Sequence, residues 1–257
     1  MASVDEPALR AAYDGFRRTV SFPDAQRVEA GAVVLHLSPS GDGAILYSDL
    51  NEETADAAIR DQIEEARIRQ AAMEWVAYSH DTPPDLPQRL EAHGFTATGS
   101  ETILVLDLDH LYVPADTTGP DVRKVVSPDE VAAIAAIQQQ IWGGDAGNIA
   151  ERLARRLAEA PDSIGLFAAF VDGRLVSTAQ ITYYPVHSFA SLVRSATLPA
   201  YRRRGLYTAL VAARIAAAQD RGIHYLDTEA SPLSRPILER FGFRPIAEAT
   251  TYVWEPS

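Results

Sequence analysis

Apolar and polar positions change period along the chain, and each change marks an element. Residues 165–184, "GLFAAFVDGRLVSTAQITYY", form two β-rich runs joined by Asp172-Gly173, residues that tolerate positive φ and so favour a two-residue hairpin turn. "SFASLVRSATL" is a third run beside them. The period then lengthens: in "LYTALVAARIAAAQDRG" Leu206, Leu210, Ala213 and Ala217 share one helical face, and Gly222 ends the helix. "IHYLDTEA" reads as a strand, "PLSRPILERFG" as a short helix and "ATTYVWE" as a closing strand. Ahead of the hairpin, "VRKVV" is a short strand, "SPDEVAAIAAIQQQIW" a helix opened by Ser127 and Pro128, and "NIAERLARRLAEA" a second helix after a glycine-rich turn. The expected order is β-α-α-β-β-β-α-β-α-β.

The same succession occurs earlier. "GAVVLHLSPSGDGAILYSDL" reads as a hairpin, "ETADAAIRDQIEEARIRQ" as a long helix with a solvated acidic face, and "MEWVAYS" as a strand. "LPQRLEAHGFTATGSETILVLDL" then matches "RPILERFGFRPIAEATTYVWEP": each is a short helix, a Gly-Phe pair and a terminal strand. The chain is a tandem duplication. The turn formers of "TTGPD" place the boundary near Ala115, giving domains at 1–115 and 121–257.

Composition narrows the function. The chain has 257 residues, 47% hydrophobic and 23% charged, enough to bury cores. It has no cysteine, which excludes disulfides, thiol nucleophiles and thiolate metal sites, and its six histidines lack metal-ligand spacing, so no metal is expected. No run approaches the roughly 18 apolar residues of a membrane span, and the start lacks an apolar signal core. These features predict a cytoplasmic protein, monomer or homodimer, without a membrane partner. A net charge of -12 and a pI near 4.9 also weigh against nucleic acid, leaving small-molecule chemistry.

Against that acidic background, "PAYRRRGLYT" sets three arginines before a glycine, where a strand runs into a helix. Such a turn leaves the first helical N–H groups without intrahelical partners, at the positive end of the helix dipole. Arg202, Arg203 and Arg204 add charge there and Gly205 permits close approach, although three arginines alone also suit a solvated turn. The first copy has "SDLNEETADA" instead, with acids and no glycine.

"TLPAYRRRGLYTALV" resembles the coenzyme A pyrophosphate loop of GNAT-type N-acyltransferases, whose pattern is Gln or Arg, two residues, Gly, one residue, then Gly or Ala. Arg202 and Gly205 match, Tyr207 departs from the last position, and "LERFGF" resembles the family's late helix-Gly-Phe motif. The resemblance covers about Asp121 to Trp254. It implies an α/β chain of tandem GNAT folds, each a splayed mixed sheet flanked by helices, with the first copy lacking the loop. It further implies that acetyl-CoA is the acyl donor. Its pantetheine would run along Ala196, Thr197 and Leu198, and its pyrophosphate would lie on the amides of Arg203 to Tyr207, with Leu206 and Thr208 beside it. The implied reaction is acetyl transfer to a small-molecule amine by direct attack. A non-catalytic CoA-binding protein, or another acyl donor, is the alternative.

The remaining candidates have bland readings beside them. The tyrosine that protonates the departing thiolate in many relatives is replaced by Leu238. Ser234 is the candidate donor in its place, with Tyr184 a rival acid, while Ser231 contacts the thioester end; both serines also suit a helix cap. Glu229 and Asp227, on one face of the strand flanking the splay, are candidate proton acceptors. Trp142 covers the acceptor pocket or packs in the core. Asp145 holds an amine's charge or lies solvated in its loop. Arg194 reads an anionic part of the acceptor or pairs with Glu229 or Asp227.

Overall fold

The computed structural model describes residues 5–110, 119–184 and 186–256; the expected boundary near Ala115 lies outside them. The chain divides into two compact units, and the division is interleaved. The first unit is Met1–Leu104 with Glu229–Arg235 and Arg244–Ser257, and the second is Val105–Thr228 with Pro236–Phe243. The closing segment expected with the second half thus packs in the first unit.

In the first unit, α1 (Glu6–Thr19) precedes β1 (Gln26–Ala30), β2 (Val33–Leu37), β3 (Gly43–Ser48), α2 (Ala55–Arg69), β4 (Met73–Tyr78), α3 (Leu86–Ala92) and β5 (Thr96–Asp107); the chain's last strand, β11 (Arg244–Trp254), completes it. Strand order is β1-β2-β3-β4-β11-β5. β11 inserts antiparallel to β4 from Ala249↔Tyr78 to Trp254↔Met73. Beneath α2 and α3, Trp75, Met73, Ile45, Ile59, Leu86 and Leu90 are essentially solvent-free and form the core. Burying one such side chain contributes about 1.5–3 kcal/mol, so this core, rather than the acidic outer face of α2, holds the helix in place.

The second unit follows the expected element order except for the closing strand. β6 (Asp121–Lys124), α4 (Pro128–Trp142), α5 (Ala146–Glu159), β7 (Ile164–Val171), β8 (Arg174–Tyr183) and β9 (Phe189–Thr197) lead to α6 (Leu206–Gln219), β10 (Tyr225–Ala230) and α7 (Arg235–Arg240). Its strand order is β10-β9-β8-β7-β6. Ser127 caps α4 by accepting the Glu130 amide, and the hairpin turns at Asp172 (φ 49°) and Gly173 (φ 75°). Gly165 is required by packing: a Cβ there would meet Ile181 at 2.8 Å.

Two expectations change. The buried face of α6 is Leu206, Leu210, Val211, Arg214, Ile215 and Ala218, not the face through Ala213 and Ala217. Arg214 is admitted to the core because its guanidinium donates to the carbonyls of Leu210 and Gln180, at 3.0 and 3.1 Å. The first copy's hairpin is also a three-stranded meander, since β1 pairs antiparallel with β2.

Candidate functional site

The site of the second unit is built where β9 and β10 part. They pair in parallel through only three steps, Tyr225↔Phe189, Leu226↔Ala190 and Asp227↔Ser191. The next position replaces the ladder with a side chain, as Thr228 Oγ1 donates to the Leu192 carbonyl at 2.8 Å. On its other edge β9 stays paired with β8 but bulges: three steps from Val193 to Ala196 oppose two on β8, and Arg194 takes a left-handed φ of 50°. Arg194, expected mid-strand, therefore stands exposed at the bulge, with Arg152 of α5 as a like-charged neighbour.

Beyond the bulge, Ala196, Thr197 and Leu198 lead into the arginine turn. Arg203 (φ 61°) and Gly205 (φ 76°) both adopt left-handed backbone, so the turn reverses sharply before α6 begins. The first intrahelical bond runs from the Ala209 amide to the Gly205 carbonyl, which puts the amides of Leu206, Tyr207 and Thr208 ahead of the helical ladder. No side chain caps α6. Arg202, Arg203, Arg204 and Gly205 are exposed; Arg202 donates to the Thr197 carbonyl at 3.2 Å, and Arg204 lies over the Tyr201 ring at 5.2 Å. A cationic, uncapped helix start at an open surface fits a pyrophosphate.

At the last paired step lies a buried polar chain. Tyr184, Ser191 and Asp227 are 6, 5 and 8% exposed. Tyr184 Oη contacts Ser191 Oγ at 3.0 Å, and Ser191 Oγ donates to Asp227 Oδ1 at 2.7 Å. The proton order follows from the donor inventory: an ionised carboxylate only accepts, so Ser191 gives it its one hydrogen and Tyr184 must donate to Ser191. Tyr184 therefore presents oxygen lone pairs, not a free proton, opposite to its expected role as an acid. Ser191 was not singled out in the sequence. Only the register, which sets it beside Asp227 and opposite Thr182, shows it as the middle member.

Other candidates fall differently. Asp145 is the N-cap of α5, accepting the Asn148 amide at 2.8 Å, which accounts for it without a substrate. Trp142 ends α4 at 48% exposure, excluding the packed-core reading. Leu238 is fully buried and apolar.

Glu229, Ser231 and Ser234 belong to the first unit. Ser231 and Ser234 form a local turn before α7, the Ser234 hydroxyl donating to the Ser231 carbonyl at 3.3 Å. Glu229 hydrogen-bonds Glu101; desolvation and that second carboxyl push it up to about 7. Among the described residues no three potential metal ligands converge, and no helix is long and apolar enough to cross a membrane.

A sheet that opens beside a phosphate-type helix start, with the pattern repeated in the first half, defines a tandem GNAT fold. Residues 131–243 match the model of the Acetyltransferase (GNAT) family. Three solved structures share the architecture across the chain. A GCN5-related N-acetyltransferase from Kribbella flavida is 19% identical, with a TM-score of 0.70 over 100% of this chain and 97% of its own. A tandem GNAT protein from the clavulanic acid biosynthesis pathway is 14% identical, with a TM-score of 0.65 over 95% and 88%. A GCN5-related N-acetyltransferase from Sphaerobacter thermophilus is 13% identical, with a TM-score of 0.64 over 89% and 82%. No curated protein matches the sequence. The second unit thus matches a GNAT acetyltransferase domain over residues 131–243, and the solved structures share its fold in tandem form.

Proposed function

We propose that this protein is an N-acetyltransferase that moves the acetyl group of acetyl-CoA to the amine of a small-molecule acceptor. The observation that carries the reading is the arginine turn, with two left-handed residues, three exposed guanidinium groups and an uncapped helix start within seven positions of one another. In this reading the pyrophosphate rests on the amides of Arg203 to Tyr207, and the pantetheine follows Ala196 to Leu198, where β9 has lost β10 as a neighbour.

Attack on the thioester requires a neutral amine, and the Tyr184–Ser191–Asp227 chain gives its proton an exit. The acceptor's ammonium transfers a proton to Tyr184 Oη, Tyr184 passes its own to Ser191, and Ser191 passes its own to Asp227. The nitrogen lone pair then bonds to the acyl carbon, the C–S bond breaks, and the second N–H proton ends on the departing sulfur. A thiol with a pKa near about 8.5 leaves tolerably as thiolate near neutrality, so water suffices where Leu238 offers no acid. Ser234, already donating within its own turn, is not needed.

The test is turnover of acetyl-CoA with a panel of primary amines. The chain has no cysteine, so released CoA thiol can be read with a disulfide reagent free of protein background. Binding without turnover across the panel would favour a CoA-binding protein without catalysis, for which the buried Leu238 is the structural argument. Preference for a longer acyl group would change the donor, and absence of CoA binding would overturn the proposal.

A further inference from the structure

The first unit contains a cavity of about 500 Å³ that the acyl-transfer reading does not use. Its floor is a row of side chains across four strands: His36 on β2 is opposite Ala44 on β3, Ala44 is beside Glu74 on β4, and Glu74 is opposite Val253 on β11. Neighbouring strands lie about 4.8 Å apart, so His36 and Glu74 are about 10 Å apart across the row, with only the Ala44 methyl between them. Asp42 and Glu255 add two carboxylates to the rim, and Phe22 and Leu46 add apolar wall. No lysine or arginine lines it.

His36 is 3% exposed. Its Nε2 donates to the Val20 carbonyl at 3.0 Å, so Nδ1 carries the lone pair, with the Ala44 backbone beside the ring. Phe22 packs edge-on against the imidazole at 4.8 Å between centroids. Burial, helped by the charge of Arg27, holds the imidazole below its usual pKa and therefore neutral at pH 7. Arg27 is itself engaged by Glu29 at 2.8 Å and by the Arg18 carbonyl at 2.7 Å.

A neutral acceptor nitrogen at one end, carboxylates at the other and an apolar floor between them suit a cation with an apolar body. An anion meets three carboxylates and no compensating charge. A bare metal ion lacks a converging ligand set among the described residues. We propose that this trough is a binding site for a small primary amine, its ammonium held by Glu74, Asp42 and Glu255 and its carbon body lying over Ala44 against Phe22. The size agrees, since small-molecule pockets run from about 300 to 1,000 Å³. Asp42 is pre-oriented for the role, as Ser40 Oγ and the Ala72 amide hold its carboxylate at 2.7 and 3.1 Å. This site does not depend on the acyl-transfer reading, and its ligand need not be the acceptor.

The experiment is calorimetric titration of the full chain with 2-phenylethylamine and butylamine, with 2-phenylethanol as a neutral control. At least one amine should bind saturably, and 2-phenylethanol should bind about tenfold more weakly or worse. Glu74→Gln, at an exposed strand position, should weaken the amine about fivefold while leaving the affinity for coenzyme A unchanged, which also shows that the variant is folded. Failure of both amines to saturate, equal binding of 2-phenylethanol, or amine binding indifferent to Glu74→Gln would each overturn the proposal. The last result would place the amine elsewhere, including the acceptor site, and would leave acyl transfer intact.

Discussion

Position 205 separates the electrostatic content of the arginine turn from its backbone content. Gly205 sits at φ 76° and ψ 0°, and a Cβ there would meet nothing within 4 Å. Any L-residue therefore fits sterically but adopts left-handed backbone at a cost of about 1–2 kcal/mol. Gly205→Gln and Gly205→Glu incur that cost equally, and in a chain of this length each kcal/mol lowers the melting temperature by about 2–4 °C. Only the glutamate adds charge. A carboxylate about 5 Å from one phosphate charge is repelled by roughly 3 kcal/mol at an effective dielectric of 20, and by under about 1 kcal/mol in bulk water. An exposed turn lies between these limits, and two phosphate charges bring the sum to about 3 kcal/mol, or about a hundredfold in Kd.

Calorimetric titration of coenzyme A into both variants is the assay, with melting temperatures recorded in parallel. Gly205→Gln should lose less than about tenfold in affinity, and Gly205→Glu about a hundredfold more than Gly205→Gln. Because the excess is Coulombic at an exposed site, it should shrink markedly between about 0.02 and 0.5 M salt. Equal affinities of the two variants, or an excess insensitive to salt, would refute the placement of the pyrophosphate at this turn.

Three further outcomes are expected. Native mass spectrometry should find one coenzyme A per chain, since Asn51 Oδ1 already accepts the Glu53 and Thr54 amides at 2.9 and 3.0 Å where a second pyrophosphate would bind; two equivalent sites would contradict this. Ser191→Ala should reduce kcat about 10–100-fold and shift the pH–rate profile to higher pH, with coenzyme A affinity unchanged and partial rescue by Ser191→Thr; an unmoved profile would remove the proton path. Glu229 has its pKa raised to about 7, so its contribution to stability is complete below the ordinary carboxylate pKa and is lost as pH rises through 7. Glu229→Gln should therefore melt higher than the wild type at about pH 8.5 and show little difference at about pH 4.5; a gain only at the lower pH would reverse the assignment.

Elements governed by local chemistry were legible in the sequence. Asp172-Gly173 turned where its tolerance of positive φ required, Ser127 capped α4, and the period change after Leu198 located both α6 and its arginine turn. What the sequence left hidden depends on register and partner choice. "QRVEA" lacks an apolar alternation because β1 is an edge strand, so it carried no strand signal. Arg214 stands on the buried face of α6 although its side chain is charged, with Nη1 donating to a carbonyl 34 residues away, a partner that no local pattern shows. Ser191 acquires meaning only beside Asp227, 36 residues on, and nothing local in "ATTYVWE" marks β4 as its neighbour.

The two strand-to-helix turns show how one connection serves different ends. Before α2, Asn51 satisfies two amides with its side chain and the Ala55 amide with its carbonyl, so the turn is complete within the protein. Before α6, the capping position is a glycine without a side chain to offer, and the charge supplied is positive rather than negative, the opposite of what a helix start ordinarily favours. Glycine in place of a capping side chain costs a helix about a few tenths of a kcal/mol, and arginines beside the positive end of the dipole add to that cost. An anion removes both penalties at once, since its oxygens accept from the amides and neutralise the guanidinium groups. The acidic composition of the chain sharpens the effect: a net charge of -12 disfavours polyanions overall, so a short cationic turn suits a compact pyrophosphate better than a long phosphate backbone. The first copy, with asparagine and acids where the second has arginine and glycine, satisfies its helix start within the protein.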